Sequence, residues 1–269
     1  MRVTSVAPSP RLAPFVRRFA IVEADAEATR ALLPEHGLVL GVRFAGSASL
    51  VEGGRATRLA DTVLTGIVGA ARQMQTAAGS GIVLAMFRET GAARFFAEPL
   101  HELFGRSVAL DQLVPRAALA GLHDRIAGAP DHTRRIAIFE QFLAARLRPE
   151  PPDPVADAAV RAIRESRGAI RIAALAGELG ITQDPLEKRF RRTVGTSPKH
   201  LASLVRLSGV VDAQRRAQRG ARGGDPGWSR LAVEAGYFDQ SHFIREFRAI
   251  TGAPPGEFFR TGGYCAAPD

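Results

Sequence analysis

The spacing of apolar residues changes twice along the chain. Residues 38–51 (LVLGVRFAGSASLV), 62–69 (TVLTGIVG) and 81–88 (GIVLAMFR) are short apolar or β-branched runs broken by Gly and Ser. Such runs read as strands of a small sheet or barrel, so the chain is expected to be β-rich to about residue 90. From 91 to 147 the spacing turns helical, over 91–104, 112–127 and 132–147. In the last of these Ile136, Phe139, Leu143 and Leu147 recur at three and four residues and form one apolar stripe. The stripe fits packing on its own domain, or less readily the seam of a dimer. The segment RPEPPDP at 148–154 holds four prolines in seven residues and reads as an extended linker. Beyond it no strand period is visible. Helices are expected over 155–166, 171–180, 185–194, 198–217, 228–236 and 240–250, with turns at Gly180, Gly195, 220–227 and Gly252.

The C-terminal half contains a repeat. Leu175-Ala176, Glu178 and Gly180 recur 56 residues later as Leu231-Ala232, Glu234 and Gly236. Gln183, Phe190-Arg191, Gly195 and Pro198 recur 57 residues later as Gln240, Phe247-Arg248, Gly252 and Pro255. The offset grows by one inside the turn. Each copy (171–194 and 228–250) reads helix, glycine turn, helix, and then a Gly-x-x-Pro stop, which is a helix-turn-helix plan. In the second helix of each copy, Leu186 and Phe190, or Phe243 and Phe247, share one face. Asp184, Lys188 and Arg191, or Ser241, Arg245 and Arg248, lie opposite. Such a helix fits a DNA major groove, where Arg or Lys pairs with guanine, Gln with adenine, and Asp or Glu with cytosine. Two readings of the first module's helix start stay open. Asp184-Pro185 with Glu187 resembles a capping box with an N1 proline, whereas the repeat sets Thr182 against Asp239 as caps. The 198–217 helix, with Leu201, Leu204, Val205 and Leu207, would space the modules, softened by Gly209 and the loop at 219–227.

Composition and charge narrow the classes. The chain of 269 residues is 46% hydrophobic and 23% charged, which excludes wholesale disorder. Cys265 is the single cysteine, so a disulfide framework and cysteine-rich metal sites are excluded. No run approaches 18 apolar residues and the first twenty residues lack an apolar signal core, so a cytoplasmic protein without a membrane span is expected. The net charge is +9. Residues 186–222 hold ten basic side chains (Lys188, Arg189, Arg191, Arg192, Lys199, Arg206, Arg215, Arg216, Arg219 and Arg222) against Glu187 and Asp212. That excess could neutralise several phosphates, although a solvated helical face explains it equally well. The scattered His36, His101, His123 and His132 make no ligand pair, and neither a phosphate loop nor a nucleophile elbow is present. Cys265, expected in a loose tail without a neighbouring base, does not suit an alkyl-transfer enzyme. No enzyme, metal or cofactor is expected.

The run LAVEAGYFDQSHFIREFR (231–248) followed by TGAPP closely resembles the signature of AraC/XylS-type transcription regulators, and GTSP at 195–198 with Arg206-Leu207 fits the same family's first helix-turn-helix. The resemblance covers about 155–260. It implies an α+β multidomain chain, with a seven-helix DNA-binding domain, double-stranded DNA as partner and action through RNA polymerase. Carried over, the base contacts would be Gln183, Asp184, Glu187 and Lys188 in the first module and Gln240, Ser241, His242 and Arg245 in the second. Arg191, Arg192, Lys199 and Arg248 join them as basic contacts. Acidic residues at reading positions of the first module depart from the pattern and favour a module that mainly grips phosphate. The stretches 81–96 and 99–115 look like the sensor half of one subgroup, so 1–147 is expected to be a cupin-like sensor and dimerisation domain binding a small-molecule effector in a homodimer. A regulator whose N-terminal domain only dimerises or binds another protein, and a barrel enzyme fused to a DNA-binding domain, are the alternatives.

Overall fold

The computed structural model describes residues 1–220, 227–261 and 264–265. The chain divides into two compact units, the first built on Met1–Pro152 and the second beginning at Asp153. The first is a pair of sheets. Its strands are β1 (Arg2–Val6), β2 (Val16–Ala24), β3 (Ala28–Leu32), β4 (Val39–Ala45), β5 (Ala48–Glu52), β6 (Arg55–Arg58), β7 (Thr62–Thr65), β8 (Arg72–Thr76), β9 (Ser80–Phe87) and β10 (Ser107–Ala109). One sheet runs β1-β2-β9-β4-β7-β10, antiparallel throughout. The other runs β3-β8-β5-β6, also antiparallel. A two-residue strand, β11 (Tyr264–Cys265), pairs in parallel with Ala31 and Leu32, so the Cys265 backbone is in a strand rather than a loose tail.

Strand alternation gives the larger sheet two faces. Phe19, Ile21, Leu40, Val42, Val83 and Ala85 share one face and are fully buried. The short helices α1 (Arg116–Leu119) and α2 (Leu122–Ala127) precede the longer α3 (His132–Ala144). The Phe139 ring of α3 lies 5.8 Å from Phe19. Asp131 caps α3 by accepting from the Arg134 amide at 2.7 Å.

Several expectations need correction. The strands were legible only in part: the 38–51 run is two strands, β4 and β5, split at Gly46, whose positive φ and contact with Ser80 exclude a side chain. β1, β2, β3, β6, β8 and β10 were missed. The helix expected over 91–104 is two single 3-10 turns, Gly91–Arg94 and Leu100–Leu103. Pro99 denies the donor that would join them, and a Cβ on Gly91 would strike the Phe15 carbonyl. Phe95 and Phe96 are buried against Phe87, with ring centroids at 5.3 and 6.2 Å, but not as a helical stripe. The helical signal at 112–127 is broken by Pro115 and by Gly121 at φ +71. The 132–147 stripe is internal: Ile136, Phe139 and Leu143 are buried within this unit, so it is not a dimer seam.

The second unit is helical. Its elements are α4 (Pro154–Glu165), α5 (Ile172–Glu178), α6 (Gln183–Val194), α7 (Pro198–Gly220), α8 (Trp228–Glu234), α9 (Gln240–Thr251) and α10 (Pro255–Thr261). Six match the periodic segments of the sequence, and α10 is the seventh that the family resemblance implies. Asp153 caps α4 through two backbone amides, with Pro154 in the first turn. α7 stays helical through Gly209 and buries Leu201, Leu204, Leu207, Val210 and Val211. Its 23 residues make a rod roughly 34 Å long. Most of the glycine-rich loop at 219–227 lies outside the described residues.

Leu143→Glu places a carboxylate in a fully packed site. The expected outcome is loss of the first unit's thermal transition, measured by calorimetry and circular dichroism, rather than a folded monomer in sedimentation.

Candidate nucleic-acid interface

The repeat is an equivalence of backbone. α5 and α8 both span seven residues at an offset of 56, and α6 and α9 both span twelve at an offset of 57. Gly180 (φ +68) and Gly236 (φ +83) occupy the left-handed position that ends the first helix of each copy. The amide after each glycine bonds back to an equivalent carbonyl, Ile181 to Ala176 at 3.1 Å and Tyr237 to Ala232 at 3.0 Å. The extra residue of the second turn is therefore Phe238, and it is 91% exposed. Sequence reasoning passed over it because the repeat alignment treats it as an insertion.

The helix starts follow the repeat as well. Asp239 caps α9 by accepting from the His242 amide at 2.6 Å. α6 begins at Gln183, directly after Thr182, so Asp184 lies inside the helix and is not its cap. The inward faces are packed. Leu186, Phe190 and Val194 are buried in α6, and Phe243, Phe247 and Ile250 in α9. In the second module this core is aromatic. Phe243 touches Tyr237, Trp228 and Phe247 with centroids 5.2–6.2 Å apart, and Phe247 meets Phe258 and Phe259 of α10.

The outward faces carry the sequence-predicted residues, but the two modules hold them differently. In α6, Lys188 Nζ lies 2.8 Å from Asp184, which raises the Lys188 pKa. Arg191 lies 3.5 Å from Glu187, and the Gln183 amide donates to Glu187 at 3.3 Å. Four of the first module's reading positions and Arg191 thus form two ion pairs and a hydrogen bond among themselves. Arg192 and Lys199 are exposed and have no ion-pair partner among the described residues. In α9, Arg245 and Arg248 are exposed and likewise unpaired among the described residues, and Ser241 is exposed. Gln240 accepts from the Ser229 hydroxyl at 2.8 Å, leaving its amide donors outward. His242 is half-exposed: its ring lies 5.5 Å from that of Tyr237, and its Nε2 is 3.8 Å from Glu246.

Residues 175–261 match the family model of a helix-turn-helix domain. The chain carries a helix-turn-helix domain at these residues. Among solved structures, ToxT of Vibrio cholerae is similar at 13% identity with a TM-score of 0.49, over 90% of this chain and 97% of that one. The C-terminal domain of AraT, a response regulator from Geobacillus stearothermophilus, is similar at 20% identity and TM-score 0.35, over 44% and 93%. A DNA-binding transcriptional dual regulator from Escherichia coli K-12 is similar at 24% identity and TM-score 0.32, over 40% and 98%. No curated protein sequence matches the chain.

Within the helix-turn-helix domain, one counted cation is unavailable to DNA. Arg206 of α7 donates through Nε and Nη2 to Glu246 of α9 at 2.8–3.2 Å. It also donates to the Gly168 carbonyl in the turn after α4, and its guanidinium sits 5.3 Å from the Tyr237 ring centre. Ser203 donates to the same carboxylate at 2.9 Å. Gly168, at φ +77, admits no side chain there because a Cβ would meet the Ala202 carbonyl at 2.3 Å. Arg206 fixes the second recognition helix against the linking helix. The sequence held no signal for this role beyond the Arg206-Leu207 pair, since Arg206 lies outside both repeats.

Burial would raise the Glu246 pKa. The Arg206 hydrogen bonds and charge, the Ser203 hydroxyl and the His242 charge outweigh burial and hold it below the usual carboxylate range. A folded-state pKa lowered in this way contributes stability that is present above the unfolded value of about 4.3 and is lost as pH falls through the folded one. In urea denaturation, Arg206→Ala is expected to cost about 3–5 kcal/mol at pH 7. The stability gap between native protein and Glu246→Gln is expected to narrow as pH falls from 5 to 3; a constant gap would contradict the assignment.

Proposed function

We propose that this chain is a sequence-specific DNA-binding transcription regulator whose base reading is concentrated in α9. The single observation that carries the reading is the exposed Gln240, Ser241, Arg245 and Arg248 face, with both arginines unpaired among the described residues and the opposite face locked into an aromatic core. A rigid helix with outward donors is what major-groove readout requires. α6 supports the same reading in a different role. Its lysine and arginine share their charge with Asp184 and Glu187, so it serves register and phosphate contact, with Arg192 and Lys199 at hand. The first unit belongs to this reading as the effector-responsive and homodimer-forming half, and RNA polymerase as the target of its output. No described helix is long and apolar enough to cross a membrane, which suits a cytoplasmic site of action.

Selection from a random DNA pool supplies the cognate site, and binding is then measured at several salt concentrations. Arg245→Ala is expected to cost about 1–3 kcal/mol on that site and little on random DNA. Equal losses on both would make Arg245 a phosphate contact. Absence of any enriched sequence would reject sequence-specific binding.

Asp184→Asn frees Lys188 from its partner. It is expected to tighten binding to random DNA, because Lys188 reaches phosphate without giving up a partner and one carboxylate fewer faces the polyanion. An unchanged affinity for random DNA would show that α6 does not approach phosphate.

A further inference from the structure

The first unit has a cleft of 420 Å³ lined by three arginines, Arg58, Arg72 and Arg106, and by the apolar Leu50, Leu59 and Val63. This size suits a small ligand. The arginines come from three separate places: the end of β6, the start of β8, and the turn before β10. Arg72 is held in place. Its side chain is 15% exposed, and it donates to the Gly105 carbonyl. Arg106 donates to the Glu102 carbonyl at 3.3 Å. Against these three cations stands one lining carboxylate, Glu52, 3.9 Å from Arg72 and largely turned to solvent. Arg58 and Arg106 have no ion-pair partner among the described residues.

A fourth cation adds to the field. Arg43 of β4 is 3% exposed, its Nε has no hydrogen-bond partner, and it shares a sheet face with Val63, which lines the cleft. Burial lowers the Arg43 pKa, Asp61 raises it, and Arg58 lowers it further. Four guanidiniums gathered at a partly apolar cleft, against the two carboxylates Glu52 and Asp61, leave an excess of donors that an oxyanion satisfies. Leu50, Leu59 and Val63 offer an apolar body no polar partner.

We propose that this cleft binds a small organic anion, with a carboxylate or phosphate head held by Arg58, Arg72 and Arg106 and an apolar body against Leu50, Leu59 and Val63. The proposal rests on the reading of the first unit as effector-responsive and gives that effector a chemical class. An ordinary solvated surface would instead hold its arginines apart or pair them with acidic neighbours.

The test is calorimetric titration of the full chain with octanoate, octan-1-ol and inorganic phosphate, in native protein and in the Arg58→Gln, Arg106→Gln double variant. Both positions are solvent-facing, and an unaltered melting temperature of the double variant verifies its fold. The expected result is octanoate binding that exceeds both octan-1-ol and phosphate and weakens about tenfold in the double variant. Binding of octan-1-ol as tight as octanoate, phosphate as tight as octanoate, equal binding in the variant, or no octanoate binding at millimolar concentration would each overturn it. DNA affinity is then measured with and without octanoate. A bound octanoate that leaves DNA affinity unchanged would keep the site and remove its regulatory role. Failure of octanoate to bind would remove the site and leave the DNA-binding reading untouched.

Discussion

The placement of the second recognition helix depends on one guanidinium. Arg206 joins the linking helix α7 to Glu246 of α9, to the Gly168 carbonyl behind α4, and to the Tyr237 ring at the second turn. Apolar packing alone leaves two helices free to slide by fractions of a turn, because it has no direction. A planar fork with fixed donor angles does not. A buried ion pair is weak evidence for net stability, since desolvation consumes much of its attraction. Its value here is orientation: a recognition helix rotated by a few tens of degrees would turn Arg245 away from the groove, and one rotated by about 100° would present Glu246 in its place. The glycine at 168 belongs to the same device, because only a residue without Cβ lets its carbonyl come within reach beneath Ala202.

The two modules reach the same backbone with different cores. The first buries aliphatic residues and one phenylalanine from α5 and α6, with Leu175, Leu186, Phe190 and Val194. The second uses rings, and Phe258 and Phe259 of α10 close the group around Phe247. Rings supply large contact areas and preferred edge-to-face angles. They compensate for the shortness of α8 and α10, seven residues each, which could not hold a helix by propensity alone.

How much was legible follows from these differences. The helical unit repeats itself, so glycine turns, buried phenylalanines and outward cations each appear twice in the sequence, and the structure places them at equivalent positions. Two things escaped. The role of Arg206 needs a partner forty residues away that sits between a reading residue and a core residue. The strands of the first unit escaped for a different reason. Their buried positions include arginines, Arg18 at 7% and Arg43 at 3% exposure, with Arg72 mostly covered, and these erase the apolar alternation that marks a strand. β6 and β8, reading RATR and RQMQT, have no apolar face to detect. The helices expected over 91–104 and 112–127 failed because apolar content was read without its breakers. Pro99, Pro115 and Gly121 cut these two stretches into pieces of four to six residues.

The charge pairs on α6 sharpen the contrast between the modules. Exposed pairs four residues apart on a helix are weak, because water screens them and both side chains remain mobile. On the proposed reading, Lys188 and Arg191 therefore exchange their carboxylates for phosphates when DNA arrives. The carboxylates stay behind. Asp184 and Glu187 are then left facing a polyanion, where cytosine N4 and adenine N6 are the base-edge donors in the major groove that they could engage. α9 has no acidic residue among its outward reading positions, and its one carboxylate, Glu246, is turned inward and neutralised by Arg206. The same ion pair that orients the helix thus removes the negative charge that would repel DNA from it, so the structural and electrostatic requirements of the second module are met by a single contact.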